Sequence, residues 1–468
     1  MSEISSQEVK TEVAEGPAGV RARVPVFSRD LLLRKFIPWV AKGGLAIADY
    51  GLISGSNFLL GVLLARWLAP DQYGAYALAF SIFVLVAFLY QALLLEPLSV
   101  FSGTTYRDNI RGYLLTATWL HWVISFVVCF LLGATAVAAR VWWHSSVLAV
   151  AFAGLTIATP FILIHAMARR SFYLKLSPAP AAFASFFYCL LVTGGVFFAY
   201  SEGWLTSFTA YLLMGLAALV SGVIMLLQLN AKLEPATGHA RLQEVWAKHW
   251  EYGKWALGTC VVGWIPNYVY IPLVSSFSGV STGGELRALM NFSAPLLQTF
   301  AALSMLFLPY AARVQAKEGR AAVSALSWKL ALLFVGGGAL YWAVLIPLRL
   351  PLFHLVYAGK YVQSSSLIPL FALETMFWSA ALGPAILLRG MESPRSLFFA
   401  NAAASVIALV IGVPATRYFG LHGVVWSMIL ANLVYMVAAY IMLWQKVSTL
   451  KIRKVEFAAP VPADEASY

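Results

Sequence analysis

Long apolar runs separated by short polar steps occupy the chain from about residue 44 to residue 444. A helix needs about 20 largely apolar residues to cross the hydrocarbon of a bilayer. Measured with that length, the runs predict twelve crossings, at 44–65, 76–96, 112–138, 145–165, 183–200, 207–229, 252–274, 285–310, 325–346, 366–388, 397–415 and 420–444. The seventh contains "PNYVYIP" at 266–272, whose two prolines predict a kink or a break.

Lysine and arginine alternate with this pattern. If the N-terminus is cytoplasmic, the cytoplasmic segments hold nearly all of them. Only Arg66, Arg140, Arg287, Arg349, Lys360 and Arg417 of the 32 fall on the other side. Positive charge favours the cytoplasmic face, and a missed or extra crossing would scramble the alternation. The expected architecture is an all-α polytopic membrane protein with twelve transmembrane helices and both N- and C-termini cytoplasmic. Trp39, Trp67, Trp142, Trp143, Trp204, Trp250 and Trp444 fall near predicted helix ends, where indole rings anchor in the headgroup layer.

Residues 1–40 read as a polar, disordered and then basic segment. Over 27–40, Arg29, Arg34 and Lys35 mix with Leu31, Leu32, Phe36, Ile37 and Trp39. That stretch is either a short interfacial helix or a plain basic juxtamembrane segment. A basic linker at 230–251 separates a first six-helix bundle, 41–229, from a second, 252–444, and 445–468 forms a cytoplasmic tail. Each bundle opens on the same rhythm of helix, outer polar step and long helix. An even number of crossings per half relates the halves by an axis along the membrane normal, and transporters place substrate between such halves.

Composition agrees. The chain is 61% hydrophobic and 11% charged with a mean hydropathy of +0.78, where a soluble chain is about a quarter charged. Its outer surface must therefore face lipid. The net charge of +12 is spread over many short loops, which argues against nucleic acid as a partner. Cys129, Cys189 and Cys260 lie inside apolar runs with neither metal nor disulfide spacing. No nucleotide-binding, metalloprotease or nucleophile-elbow motif occurs, and the five aspartates form no D-x-D pair. No loop is large enough for a catalytic domain, so an enzyme is not expected, and no cofactor is implied.

Ionisable groups at lipid depth are costly and point to function. Lys42, Asp49 and Ser56 recur every seven residues on the first helix with Asn57 beside them, a stripe that would suit a wet face turned to a cavity. Glu374 lies a third of the way along the tenth crossing, and Arg389 ends it. Glu374 could carry a proton, meet a substrate cation or bind a basic neighbour. Glu96, before Pro97, reads as an end cap, and His121 and His165 as core histidines. Arg66 ends the first helix on the outer side, either snorkelling to lipid phosphate or turning inward to hold an anionic headgroup. Arg287 holds a comparable place on the eighth helix. Gly51, Gly55 and Gly61 predict close helix contacts.

The stretch "SGSNFLLGVLLARWLAPDQYGAYALA", residues 54–79, carries Asn57, Phe58, Leu64, Ala65, Arg66, Leu68, Pro70, Asp71, Tyr73, Gly74 and Tyr76. In these positions it resembles the polysaccharide-export branch of the multidrug/oligosaccharidyl-lipid/polysaccharide flippase superfamily. "MLFLPYAARVQAKEGR", residues 305–320, is similar to the second-half counterpart. The resemblance implies two six-helix bundles around a central, often cationic cavity that opens alternately to each side. It implies a flippase for undecaprenyl-diphosphate-linked oligosaccharide in a bacterial inner membrane, supplying O-antigen, capsule or exopolysaccharide. Membrane lipids, the polyprenyl-diphosphate-linked glycan and a polysaccharide polymerase or assembly protein are its implied partners. The sequence departs from that pattern in having few deep cations, since Arg66, Arg287, Lys254 and Lys329 all sit near predicted ends. The rival expectation is a proton- or sodium-coupled exporter of small amphipathic compounds, with Asp49 and Glu374 as coupling carboxylates. A lipid scramblase is the remaining one.

Overall fold

Within hydrocarbon every backbone N–H and C=O must find a partner inside the chain, so apolar runs of this length become helices. The computed structural model describes residues 29–174, 177–231, 240–317 and 319–449, with side chains over 43–174, 177–229, 240–315 and 320–448. The expected disordered segment at 1–28, residues 232–239 of the linker, Lys175 and the tail beyond 449 lie outside the described residues.

The first helices are α1 (Arg29–Trp67), α2 (Pro70–Tyr90), α3 (Glu96–Phe101), α4 (Ile110–Val141), α5 (Ser146–Leu174), α6 (Pro178–Ser201) and α7 (Ser207–Ala231). They are followed by α8 (Leu242–Tyr268), α9 (Tyr270–Ser278), α10 (Val280–Lys317), α11 (Gly319–Leu345) and α12 (Arg349–Tyr357). The last three are α13 (Ile368–Gly390), α14 (Pro394–Val410) and α15 (Gly412–Thr449). Local chemistry sets the starts. Proline opens α2, α6, α13 and α14, where its missing N–H costs nothing. The Asn109 side chain caps α4 by accepting from Gly112 N at 3.1 Å.

Among the described residues ten helices are long and apolar enough to span a bilayer, and eleven if α8 and α9, bent by 51°, count as one. The bend falls in the proline-flanked segment where the sequence predicts it. The eleventh predicted crossing corresponds to α14, which is shorter than the test for a span. Helical hydrogen bonds nevertheless run on through Ile411, from Ile411 N to Ile407 O (3.0 Å) and Ala415 N to Ile411 O (2.9 Å). The true break is at Gly420, with φ 53° and ψ −130°. α8 begins at Leu242, inside the stretch read as linker. Its first turns bury Val245 and His249 against the bundle, so packing extends the helix where hydropathy alone would stop it.

Large apolar side chains point outward: Phe126 is 75% exposed, Phe130 69% and Leu340 71%. In a multi-pass membrane protein these face lipid. Trp142, Trp143, Trp204 and Trp444 are exposed near helix ends. Trp67 instead stacks on Tyr200 at 4.4 Å.

Packing repeats along the chain. Helix α5 packs on α4 and α7, α6 on α1 and α7, and α2 on α5. Later, α13 packs on α11 and α15, α14 on α8 and α15, and α10 on α13 in the same relation. The two sets meet chiefly where α2 crosses α10. Below, "distal" denotes the end where α1 gives way to α2, and "basal" the end where α1 begins.

Candidate substrate cavity and its two ends

A cavity of about 340 Å³ separates α1 from α10. Tyr50, Gly51, Ser54, Gly55 and Phe58 line one side and Pro295, Gln298 and Thr299 the other. A Cβ on Gly51 or Gly55 would meet nothing within 4 Å. These glycines therefore shape an open wall, contrary to the close contact expected of them. Gly61, a turn and a half further on, does make that contact, with Asn291 Oδ1 3.4 Å from its Cβ position. Across the cavity the described hydrogen bond runs from Tyr50 OH to Gln298 Oε1 at 3.3 Å.

The opposite seam, between α2 and α8, is bridged at three levels. Trp264 Nε1 donates to Ser81 O at 2.8 Å, and Cys260 Sγ to Phe88 O at 3.3 Å. Near the basal end His249 bridges Tyr113 OH (2.8 Å) and Leu93 O (3.0 Å), beside one π-helical turn at Gln91–Leu95. Sequence reading missed His249 because it assigned that residue to the linker.

Asp49 and Ser56, of the predicted stripe with Lys42, do not face this cavity. Asp49 is 1% exposed and turned onto α5 and α6. Arg169 grips its carboxylate through two bonds, Nε to Oδ1 at 3.2 Å and a guanidinium NH2 to Oδ2 at 2.7 Å. Tyr173 OH donates at 2.6 Å, and Ser185 donates to Oδ1. Ser56 is buried and bonds back to Leu52 O. The side chain of Lys42 lies outside the described residues, and Asn57 is half-buried. Consecutive helix residues point about 100° apart, so the cavity face falls on Tyr50 and Gly51 while Asp49 joins α1 to its own bundle. Arg169 entered the sequence reading only as one more basic helix end, and no spacing rule pairs it with Asp49.

Arg66 turns onto α12 rather than into the cavity. Its guanidinium donates to the carbonyls of Leu355 and Val356 at the C-terminus of α12. In return, Lys360 Nζ donates to Arg66 O at 2.8 Å and Leu68 O at 2.7 Å, at the C-terminus of α1. Burial holds the Lys360 ammonium below its ordinary pKa. Beside this exchange, Ser281 donates to Asp71 and Ser364 to Glu285 at 2.7 Å. Asn291 Nδ2 lies 3.1 Å from Tyr73 OH and 3.4 Å from Tyr357 OH. The distal end is thus closed while α1 and α10 part below it.

Arg287 stands under that closure. It shares a face of α10 with the cavity residues Ala294 and Gln298 by helical spacing, about two turns or more distal to them, and does not itself line the cavity. It is partly exposed, its Cζ lies 5.1 Å from the centre of the Phe80 ring, and its Nε is buried without a hydrogen-bond partner. Among the described residues no carboxylate pairs with it. Arg66 and Arg287 therefore occupy unlike places.

Glu374 faces α15, where Asn432 Nδ2 donates to Oε1 at 2.6 Å. Tyr270 OH and Ser427 Oγ are buried nearby and face one another. No described basic residue pairs with Glu374, and Arg389 is exposed at the other end of α13. Glu96 accepts from Gln91 at 3.3 Å. His121 is buried and bonds Tyr90 OH at 2.9 Å, while His165 stacks on Tyr188 at 5.3 Å.

No family model matches the chain, and no curated protein matches it. Solved structures do. An inward-facing conformation of a multidrug resistance MATE family transporter of the MOP superfamily is 14% identical with a TM-score of 0.67, over 86% of this chain and 98% of that one. The lipid II flippase MurJ in an inward closed conformation is 13% identical with a TM-score of 0.68, over 86% of this chain and 89% of that one. An outward-facing conformation of a multidrug resistance MATE family transporter of the MOP superfamily is 14% identical with a TM-score of 0.57, over 86% of this chain and 94% of that one. At such identities the likeness is one of fold: this multi-pass membrane chain has the fold of MOP superfamily transporters.

Proposed function

We propose that the protein is an alternating-access flippase that moves an undecaprenyl-diphosphate-linked oligosaccharide between leaflets of a bacterial inner membrane for cell-surface polysaccharide synthesis. In this reading it has twelve crossings in two six-helix bundles, both termini are cytoplasmic, and the distal end is the outer one. The observation that carries the reading is the slit between α1 and α10. Its walls mix Gly51, Ser54, Gly55, Gln298 and Thr299 with Ile47, Tyr50, Phe58 and Pro295, and Gly51 and Gly55 face open space. A lipid-linked glycan needs such a passage, because its tail can remain in hydrocarbon while sugars and diphosphate travel through a polar interior. Carrying those groups through lipid directly would cost several kcal/mol per unpaired polar group.

Arg287 supplies the cation for the diphosphate at the closed end of the cavity, its forked donors matching phosphate oxygens. Tyr50 and Gln298 offer hydrogen bonds to sugar hydroxyls lower down. Opening the distal end would then release the headgroup into the other leaflet. The test is movement of a labelled lipid-linked oligosaccharide in vesicles holding folded, correctly inserted protein; no movement overturns the proposal. In the same assay Gly55→Leu is expected to slow flipping several-fold with unchanged insertion, because its side chain fills the slit.

A second reading, a proton- or sodium-coupled exporter of small amphipathic compounds, is favoured by one cluster. Glu374, with the buried hydroxyls of Tyr270 and Ser427, offers oxygen ligands of the kind hard cations take. Glu374→Gln is expected to abolish any dependence of transport on an ion gradient. Gradient dependence that survives this change removes Glu374 from coupling.

A further inference from the structure

The distal closure rests on two features that the transport reading does not use. The first is a crossing of α2 over α10 at paired glycines. A Cβ on Gly74 would overlap the Val280 carbonyl oxygen, and one on Gly284 would lie 3.0 Å from Gly74 N. Each glycine is the fifth residue of its helix, so the two occupy matching places in the repeated packing. Helix backbones approach this closely where small residues stand at the contact.

The second is the exchange of cations. Helix C-termini carry unpaired carbonyls and partial negative charge. Arg66, at the end of α1, serves the carbonyls that end α12, and Lys360, just beyond α12, serves those that end α1. Each helix end is capped by a cation from the other. Separating the two would leave both sets of carbonyls without these donors.

We propose that the Gly74–Gly284 crossing and the Arg66–Lys360 clasp together form a latch that holds the distal end shut, and that its strength sets the balance between the distal-closed and distal-open states. The clasp uses main-chain acceptors, so it ties closure to the positions of two helix ends rather than to an acid. The glycine crossing works differently: it is a steric condition, met only when α2 and α10 close fully. The inference rests on the alternating-access reading but not on the identity of the substrate.

The test reads conformation without substrate. Cys129, Cys189 and Cys260 are replaced, and Thr299→Cys in the cavity wall becomes the reporter. A membrane-impermeant thiol reagent is applied from the distal side of oriented vesicles. Lys360→Met and Gly74→Val are each expected to raise distal labelling about tenfold, the effect of a 1.4 kcal/mol change in the equilibrium. Labelling from the basal side should fall with them. Gly194→Val, whose Cβ meets nothing within 4 Å, is the control and should leave both rates unchanged. Distal labelling equal to the parent's in Lys360→Met and Gly74→Val overturns the proposal. If Gly74→Val fails to insert, Gly74→Ala gives the same reading, since a methyl group already overlaps Val280. A protein that shifts state in this assay but moves no lipid-linked oligosaccharide refutes the substrate and keeps the latch.

Discussion

Asp49→Ala is expected to destabilise the protein by about 3–5 kcal/mol, because it strands a partly buried guanidinium without its carboxylate. The side chains of Asp49 and Arg169 are 1% and 19% exposed and meet at 2.7 Å. Tyr173 and Ser185 complete the carboxylate's hydrogen bonds, so α5 and α6 lose their common acceptor on α1 at once. A thermal unfolding midpoint in detergent, together with the amount of protein inserted, measures the effect. Arg169→Met alone should be of comparable severity. The double change Asp49→Leu with Arg169→Met should recover much of the loss, because an apolar pair leaves no charge unpaired. If Asp49→Ala folds normally but abolishes transport, the pair belongs to the transport cycle and the structural assignment fails.

The second large effect concerns Arg287. Arg287→Gln should lower flipping of a diphosphate-linked substrate about 10- to 100-fold, the size expected for losing a charged hydrogen-bond partner. Insertion and thermal midpoint should change little, since among the described residues no carboxylate pairs with this guanidinium. Arg287→Lys restores charge without the forked geometry, so only part of the rate should return. Flipping that is unaffected by Arg287→Gln would leave the cavity without a diphosphate ligand and would favour the exporter reading. The same measurement with an uncharged amphipathic compound separates the two, because its passage needs no such cation.

Much of this molecule was legible as a string. Each apolar run became a helix, because hydrocarbon leaves the backbone no other way to satisfy its hydrogen bonds. The prolines at 266 and 272 foretold the bend between α8 and α9. The stretch from Asn57 to Tyr76 was singled out as informative, and its residues gather at the distal closure: Arg66 on α12, Asp71 with Ser281, Tyr73 with Asn291, Gly74 on α10. Their meaning changed, however. Arg66 was weighed as a lipid anchor or a headgroup ligand and proved to be half of an exchange between helix ends. Gly51 and Gly55 were read as packing residues and proved to border open space.

What the sequence determined by itself was which residues share a helix and which share a face of it. Local hydrogen bonding and the 3.6-residue period depend only on neighbours in the chain, so Asp49 and Ser56 had to point the same way. Only the tertiary structure decided what that face meets. Arg169 stands 120 positions from Asp49, Lys360 nearly 300 from Arg66, and Gly284 over 200 from Gly74. No periodicity spans such distances. Whether a carboxylate seals a bundle or lines a passage depends on which helix arrives opposite it, and that is settled when the helices pack.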